Sequence, residues 1–305
     1  MTDLAQAALS PVVDAAARRR GLALVALAAI VWSTGGLIVR SLEAADVWTT
    51  VFWRGVFAAL FLVAFIVVRD RGRAVLLFRT MGRPGVIVGV CFASASIAFI
   101  VALSLTSVAN TLIILSTAPL IAALLGRVVL GERVRARSWL AMLAALAGIA
   151  LMASGSVGSG SLIGDLFALV IAVSLAVATV TIRKYRDVRM TPAACLAAVL
   201  TALLAVPLAS PLAVTGGDFG LLFLFGAVQL GTGLALFTTG ARLAPTAEVA
   251  LLSVLETILG PIWVWAILGE HPGGRALLGG GIVLAALAIH SLLDLRRARP
   301  ILPAI

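Results

Sequence analysis

The sequence predicts an all-α integral membrane protein, in which ten transmembrane helices form two inverted five-helix repeats with both termini cytoplasmic. Three observations predict this fold: an excess of apolar residues, a one-sided distribution of Lys and Arg, and an internal repeat. Of the 305 residues, 62% are hydrophobic and 12% are charged, and the mean hydropathy is +1.17. A soluble domain is roughly half apolar and a quarter charged. Lipid must therefore replace water around most of this chain.

Composition and motifs exclude several function classes. The net charge of +10 would indicate nucleic acid in a soluble protein, but here the basic residues lie in short clusters between apolar runs. Cys91 and Cys195 lie inside apolar runs without disulfide or metal-ligand spacing, and His271 and His290 are isolated. The sequence contains no phosphate-binding GxxxxGK[ST] loop, HExxH or GxSxG. We expect no enzyme activity, no cofactor, no metal and no nucleic-acid partner.

Ten apolar segments approach the length of about 20 residues that a spanning helix needs. They are 21–40, 47–68, 84–104, 107–130, 137–155, 162–182, 191–212, 219–241, 245–268 and 275–294. The first follows three arginines, as a signal peptide would, but no small-residue cleavage site comes after it. We therefore interpret it as a membrane helix. Residues 1–20 form a predicted cytoplasmic tail, and residues 295–305 form a second one.

The cations predict the orientation of these segments. With a cytoplasmic N-terminus, twenty of the 23 Lys and Arg residues fall in cytoplasmic segments, and only Arg40, Arg54 and Arg275 remain on the outer half. The outer connections 155–161 and 215–218 contain no cation. Cytoplasmic loops of membrane proteins carry such an excess. Removing one helix would invert every later loop and destroy the asymmetry, so the count supports ten helices as well.

An internal repeat divides the chain into residues 21–155 and 162–294. The Leu-Gly-Glu end of residues 107–132 falls without gaps on the Leu-Gly-Glu end of residues 245–270. Each repeat contains five helices, and because five is odd the second copy enters the membrane from the opposite side. Inverted repeats underlie many alternating-access transporters, whose substrate sites lie near the midplane between the repeats. The repeat therefore favours a transporter.

Several segments carry a family resemblance that covers nearly the whole chain after residue 20. They are VWSTGGLIVR, FWRGVFAALFL, LIILSTAPLIAALLGRVVLGERV, LLSVLETILGPIWVWAILGEHP and the Gly-rich tenth helix. By these segments the sequence resembles the EamA-type exporters of the drug/metabolite transporter (DMT) superfamily, with the YddG-like amino acid exporters as the nearest type. The resemblance implies a multi-pass protein of the bacterial inner membrane. One departure is that Thr257 stands opposite Pro119 in the repeat, while the second-half proline is Pro261.

Two functions follow as expectations. The first is export of amino acids and related small metabolites by alternating access through a central cavity between the repeats. The alternative is a proton-coupled multidrug or cation exporter with Glu256 as the exchange site. A membrane-embedded enzyme would need a constellation of His, Cys or acidic residues that the sequence does not offer. The expected partners are a small-molecule substrate and lipid, and both a monomer and a homodimer remain open.

Charged residues inside apolar segments are costly and are therefore candidates for function. Glu256, midway along the ninth segment, is a candidate substrate-ammonium or proton site; alternatively its carboxyl joins helices by hydrogen bonds. Arg54, in the second segment, attracts a substrate carboxylate or pairs with Asp46, Glu256 or helix-end carbonyls. Glu132 and Glu270 end their helices beside basic groups, and we expect interfacial ion pairs there.

Neutral polar and aromatic residues complete the predicted substrate site, although each is also explained by packing between helices. They are Trp32 and Ser33 in the first segment, Ser94, Ser96 and Phe99 in the third, Asn110 and Thr111 in the fourth, and Gln229 and Thr232 in the eighth. Pro119 and Pro261 are candidate gating hinges, because proline removes a backbone hydrogen bond. The alternative for both prolines is a static bend.

Overall fold

The computed structural model describes residues 2–43, 45–105, 111, 114–132, 134–154, 162–269 and 274–297. Within these residues the chain is helical and contains no strand. Six helices are long and apolar enough to cross a membrane: Ala15–Arg40, Val47–Thr80, Gly82–Leu105, Leu162–Lys184, Gly216–Gly240 and Thr246–Ile267. Four shorter apolar helices are Ala118–Leu130, Ala136–Leu151, Thr191–Ala205 and Leu277–Ala286. An all-α membrane fold is thereby confirmed.

Among its described residues, the first half of the chain contains seven helices and a short 3₁₀ turn at Arg71–Arg73. The helices are α1 (Thr2–Ser33), α2 (Gly35–Arg40), α3 (Val47–Asp70), α4 (Ala74–Thr80), α5 (Gly82–Leu105), α6 (Ala118–Leu130) and α7 (Ala136–Ala153). Helix α1 begins at Thr2, so the segment predicted as an N-terminal tail continues the first apolar helix. Asp46 caps α3 by accepting hydrogen bonds from the backbone N–H groups of Trp48 and Thr49.

The described part of the second half contains seven further helices, with a π-helical segment inserted at Leu224–Thr232. The helices are α8 (Leu162–Lys184), α9 (Thr191–Ala205), α10 (Gly216–Phe223), α11 (Gly233–Gly240), α12 (Thr246–Ser253), α13 (Leu255–Leu268) and α14 (Gly274–Arg297). Helix α9 ends at Ala205 rather than near residue 212, close to Pro207, which has no backbone N–H to continue the helical hydrogen bonds. The wide turns of the π-helix lie in the middle of the predicted eighth span.

The fourth and ninth spans break at equivalent positions of the repeat. Ser116 and Thr117 form a turn before α6, and Pro119 lies in the first turn of that helix. Val254 forms the corresponding turn between α12 and α13. The repeat register places Val254 opposite Ser116, so the break recurs although the second half has no proline there. Helix α13 continues through Pro261, and the hinge at that residue stays a prediction.

The two halves of the chain pack against each other throughout the bundle. Helix α5 packs on α8, and the equivalent contact with the two halves exchanged is that of α11 with α1. In the same way, the contact of α3 with the π-helical segment is equivalent to that of α9 with α5. The contact of α6 with α8 is equivalent to that of α13 with α1. Helices α7 and α14 pair at the periphery. This exchange relation supports a division into two equivalent units.

Ion pairs join the halves at one end of the bundle. The Glu132 carboxylate accepts hydrogen bonds from Arg183 Nε at 3.0 Å and from the backbone N–H of Thr246 at 3.2 Å. Arg183 also donates to the backbone oxygen of Arg242. The expectation of an ion pair at Glu132 is confirmed, whereas Glu270 lies outside the described residues.

Candidate functional site

Two neighbouring cavities lie between the halves of the chain. One, the Arg54 compartment, has a volume of about 80 Å³ and is lined in part by Arg54, Ser96 and Gln229. The other, the Pro119 compartment, has a volume of about 50 Å³ and is lined in part by Pro119 and Val254. Both are also lined by Trp32, Leu115, Leu175 and Glu256. The shared walls make them two parts of one central site, next to both helix breaks.

Arg54 is buried in the site, with an exposed fraction of 5%. Its Nη1 donates to Ser96 Oγ at 3.2 Å, and its Nη2 donates to Gln229 Oε1 at 3.3 Å. The guanidinium carbon lies 4.4 Å from the ring centroid of Phe225, as in a cation–π contact. Arg54 does not pair with Asp46, which caps α3 instead. Within the described part of the chain, no carboxylate lies at ion-pair distance from it.

The first span is interrupted between α1 and α2, and Gln229 connects Arg54 to this interruption. Its Nε2 donates to the backbone oxygen of Trp32 at 2.9 Å, close to the end of α1. Gly35 leaves room for this amide, since a Cβ there would lie 2.8 Å from Gln229 Nε2. Gly226 brings the π-helical segment against α3, because its Cβ would lie 2.6 Å from the Arg54 backbone oxygen. Close backbone approach therefore sets the Arg54–Gln229 pair.

Trp32 forms a wall that both compartments share. Its ring lies 5.3 Å from that of Phe237, and its Nε1 is buried without a hydrogen-bond partner in the described structure. A Cβ on Gly233 would lie only 2.1 Å from this Nε1. Since real Cβ atoms do not approach so closely, only glycine at position 233 permits this position of the indole ring.

Glu256 supplies the carboxyl group of the central site. It lies in the first turn of α13, directly after the break at Val254, and it lines both compartments. A carboxylate is favoured there because the N-terminus of a helix carries partial positive charge. No hydrogen bond to its carboxyl group is found among the described residues. The side chain is therefore available to a ligand, in contrast to the buried and bonded Asp218.

The structure brings together half of the predicted substrate-binding set. Trp32, Ser96, Phe99, Gln229 and Glu256 line the central site, as does Pro119 from the predicted hinges. The other described residues, Ser33, Ser94, Thr111 and Thr232, do not line either compartment. Ser33 is buried and accepts a hydrogen bond from Trp263 Nε1. Asn110 and the side chain of Pro261 lie outside the described residues.

Sequence reasoning missed the contribution of α8, which supplies Leu175 and Thr179 to the Pro119 compartment. The internal repeat in the sequence indicates this contribution of α8. Aligning the Ile-Val-Arg sequence that ends at Arg40 with the Thr-Ile-Arg sequence that ends at Arg183 places Leu175 opposite Trp32. Both of these residues line both compartments. A wall predicted in the first span therefore has a counterpart in the sixth.

Comparison with known proteins gives one family and one fold. The sequence model of the EamA-like transporter family matches residues 19–154 and again residues 162–292, once for each half. A solved crystal structure of a protein superimposes with a TM-score of 0.78 at 20% sequence identity, covering 90% of this chain and 98% of the other. At this identity the likeness shows the fold alone. No curated protein matches the chain.

Proposed function

Because the chain belongs to the EamA-like transporter family, we propose that this multi-pass membrane transporter exports amino acids and related small metabolites by alternating access through the central site. One observation carries the choice of substrate. A buried guanidinium, that of Arg54, and a carboxyl group with no hydrogen-bond partner among the described residues, that of Glu256, line the same cavity between the two halves.

A zwitterionic substrate provides a counter-charge for both Arg54 and Glu256. A buried charge is destabilising unless it is paired and hydrogen-bonded. The carboxylate of an amino acid pairs with Arg54, and its ammonium group pairs with Glu256. Ser96 and Gln229 add neutral hydrogen-bonding groups, while Leu115 and Leu175 provide apolar walls for the remainder of the substrate. Neither charged residue then needs to remain uncompensated during transport.

The proposal includes ten membrane crossings in the bacterial inner membrane, with both termini cytoplasmic. The six long apolar helices and the four shorter ones correspond in order to the ten predicted segments. The end that carries the Glu132–Arg183 ion pair is then the cytoplasmic one, where the excess of Lys and Arg belongs. Export is flux from this end through the central site toward the other.

Uptake into liposomes that contain the purified protein tests the substrate class. The panel contains amino acids and cationic dyes, each measured with and without a pH gradient. We expect flux of at least one amino acid, and loss of most of that flux in Glu256→Gln, because the ammonium group then lacks its counter-charge. Flux of none of the amino acids, with a folded and correctly inserted protein, would refute the proposal.

One alternative rests on a separate observation. Among the described residues that line the site, Glu256 is the only acid, and Trp32, Phe92 and Phe99 line the Arg54 compartment with it. Aromatic faces and one carboxylate suit an organic cation, exchanged for a proton at Glu256. The positive charge of Arg54 opposes such a substrate. Dye flux that requires a pH gradient, without amino acid flux, would establish this alternative.

A further inference from the structure

Gln229 lies between two groups of opposite hydrogen-bonding character. Its Oε1 accepts from Arg54 Nη2, which can only donate, and its Nε2 donates to the Trp32 carbonyl oxygen, which can only accept. A flipped amide would set donor against donor on one side and acceptor against acceptor on the other. The break at Thr34 thus fixes the orientation of the amide, and the amide in turn fixes one edge of the guanidinium.

Neutral side chains position the guanidinium of Arg54, and no described carboxylate lies at ion-pair distance from it. Of its five N–H donors, the structure pairs one on each Nη nitrogen, with Ser96 and Gln229. Its Nε is buried and has no hydrogen-bond partner among the described residues. Both acceptors are uncharged, so they orient the group without compensating its charge. The residue therefore presents a positive charge and unused donors in a site that it lines, which suits a planar, bidentate anion such as a carboxylate.

The π-helical segment places Gln229 opposite Arg54 by local geometry. Gly226 and Gly231 lie against α3, since a Cβ on Gly231 would lie 2.7 Å from the Phe61 ring. The wide turns of a π-helix rotate the residues within it relative to a regular α-helix, and such segments occur often at functional sites. Phe225, from the same segment, lies under the guanidinium. One segment therefore supplies both the acceptor and the aromatic support of Arg54.

We propose that Gln229 is a positioning residue which, as a neutral acceptor, keeps the Arg54 charge available and so makes the transporter select a substrate carboxylate over a carboxamide. This inference rests on the proposed function. A neutral amide at this position is essential to it. A carboxylate at position 229 would satisfy Arg54 internally and compete with the carboxylate of the substrate.

Gln229→Glu therefore separates positioning from simple structural support. The test uses uptake into liposomes of leucine, phenylalanine and threonine, each compared with its own carboxamide. In Gln229→Glu we expect KM for the free amino acid to rise at least about tenfold, while KM for the carboxamide changes much less. The ratio of the two KM values is the readout, because general damage to the protein would impair both members of a pair alike.

Two further variants complete the experiment. Gln229→Met keeps the length of the side chain and removes both hydrogen bonds. It replaces Gln229→Glu as the test variant if Gln229→Glu does not insert into the membrane. We expect it to raise KM for the free amino acid by a smaller factor, about threefold, because Arg54 loses its acceptor but keeps its charge. Thr239→Val controls for expression and insertion. The Thr239 hydroxyl donates to Ala235 O on α11, outside both compartments.

The outcomes distinguish this inference from the proposed function. If the wild-type protein transports no amino acid, the proposed function fails and this inference fails with it. If the wild-type protein transports an amino acid, and inserted Gln229→Glu or Gln229→Met leaves the ratio of KM values unchanged, the proposed function stands and the inference is refuted. An inverted preference for the carboxamide in Gln229→Glu alone supports both.

Discussion

Trp32 and Gly233 show how single residues shape the central site. The indole lines both compartments, and its buried Nε1 faces the backbone of α11 at a place where any Cβ would overlap it. The aromatic wall predicted from the first span thus depends on a glycine in the eighth. Interiors this closely packed transmit the volume of even one methyl group.

Gly233→Ala is expected to displace the indole ring into the cavity. Overpacking of this kind costs about 1–3 kcal/mol, so thermal unfolding in detergent should begin at a lower temperature and substrate flux should fall at least about tenfold. Gly36→Ala is the matched control, since a Cβ there meets nothing within 4 Å. Flux through Gly233→Ala equal to that of Gly36→Ala would contradict the assigned role.

At the scale of elements, the break in the ninth span follows the repeat rather than proline. Ser116 and Val254 are equivalent, and each lies in a turn that borders the Pro119 compartment. Proline explains the break only in the first half, where Pro119 lies in the first turn of α6. In the second half the break places Glu256 at a helix N-terminus facing the cavity. The gating roles of Pro119 and Pro261 stay predictions.

The N-terminus of α3 offers a test of how an element is stabilised. Partial burial opposes ionisation of Asp46, but hydrogen bonds from Thr49 and from the Trp48 backbone hold the pKa of Asp46 below its usual value. Stability from a carboxyl with a lowered pKa is present above the pKa of the unfolded chain, about 4, and is lost as the pH falls through the folded value. The cap should therefore weaken only in acid.

Asp46→Ala is expected to destabilise the protein by about 1 kcal/mol at pH 7, because α3 loses its N-cap. The difference from wild type should begin to shrink below about pH 4, where the carboxyl of the unfolded chain takes up a proton, and should be lost below the lowered pKa of the folded carboxyl. Asp46→Asn keeps a side-chain acceptor without the titration, so it should stay near wild type at pH 7 and lack this pH dependence. Thermal unfolding in detergent at several pH values measures both. Identical pH profiles for the three proteins would contradict the prediction.

At the scale of the whole molecule, an ion pair joins the two halves at one end, and close packing of helices at small residues joins them elsewhere. Glu132 follows the C-terminus of α6 in the first half, and it binds both Arg183 and the N-terminus of α12 from the second half. The pair is partly exposed, with side-chain exposures of 26% for Glu132 and 22% for Arg183. It therefore couples the halves more strongly than a fully solvated pair would.

A double-mutant cycle on Glu132→Gln and Arg183→Gln should reveal this coupling. We expect each single variant to lower stability, and the double variant to lower it by about 1 kcal/mol less than the sum of the two. A second cycle with Glu132→Gln and exposed Arg186→Gln should be additive. Thermal unfolding of all variants in one detergent provides the values. Additivity in the first cycle would mean that the pair does not join the halves.

Much of the fold was predictable because lipid imposes a simple rule on sequence. Apolar segments of spanning length must be helices, so the structure places helices in the predicted segments. The helix ends were less predictable, as α9 shows by ending before Pro207. The site was predictable in part: Glu256 and Gln229 are conspicuous because polar groups are rare in such helices. Leu175 is as apolar as its lipid-facing neighbours, and only packing distinguishes it.

By itself, the sequence determined the helical membrane fold, the two repeats and the presence of two charged residues within apolar segments, because hydropathy, charge and periodicity are local properties of the chain. Only the tertiary structure decided that Arg54 bonds to Ser96 and Gln229, that Ser33 pairs with Trp263 away from the cavity, and that the ninth span breaks at Val254. The physical reason is that these contacts join residues far apart in the chain. They depend on how closely glycine-containing helices approach one another, which no single segment specifies.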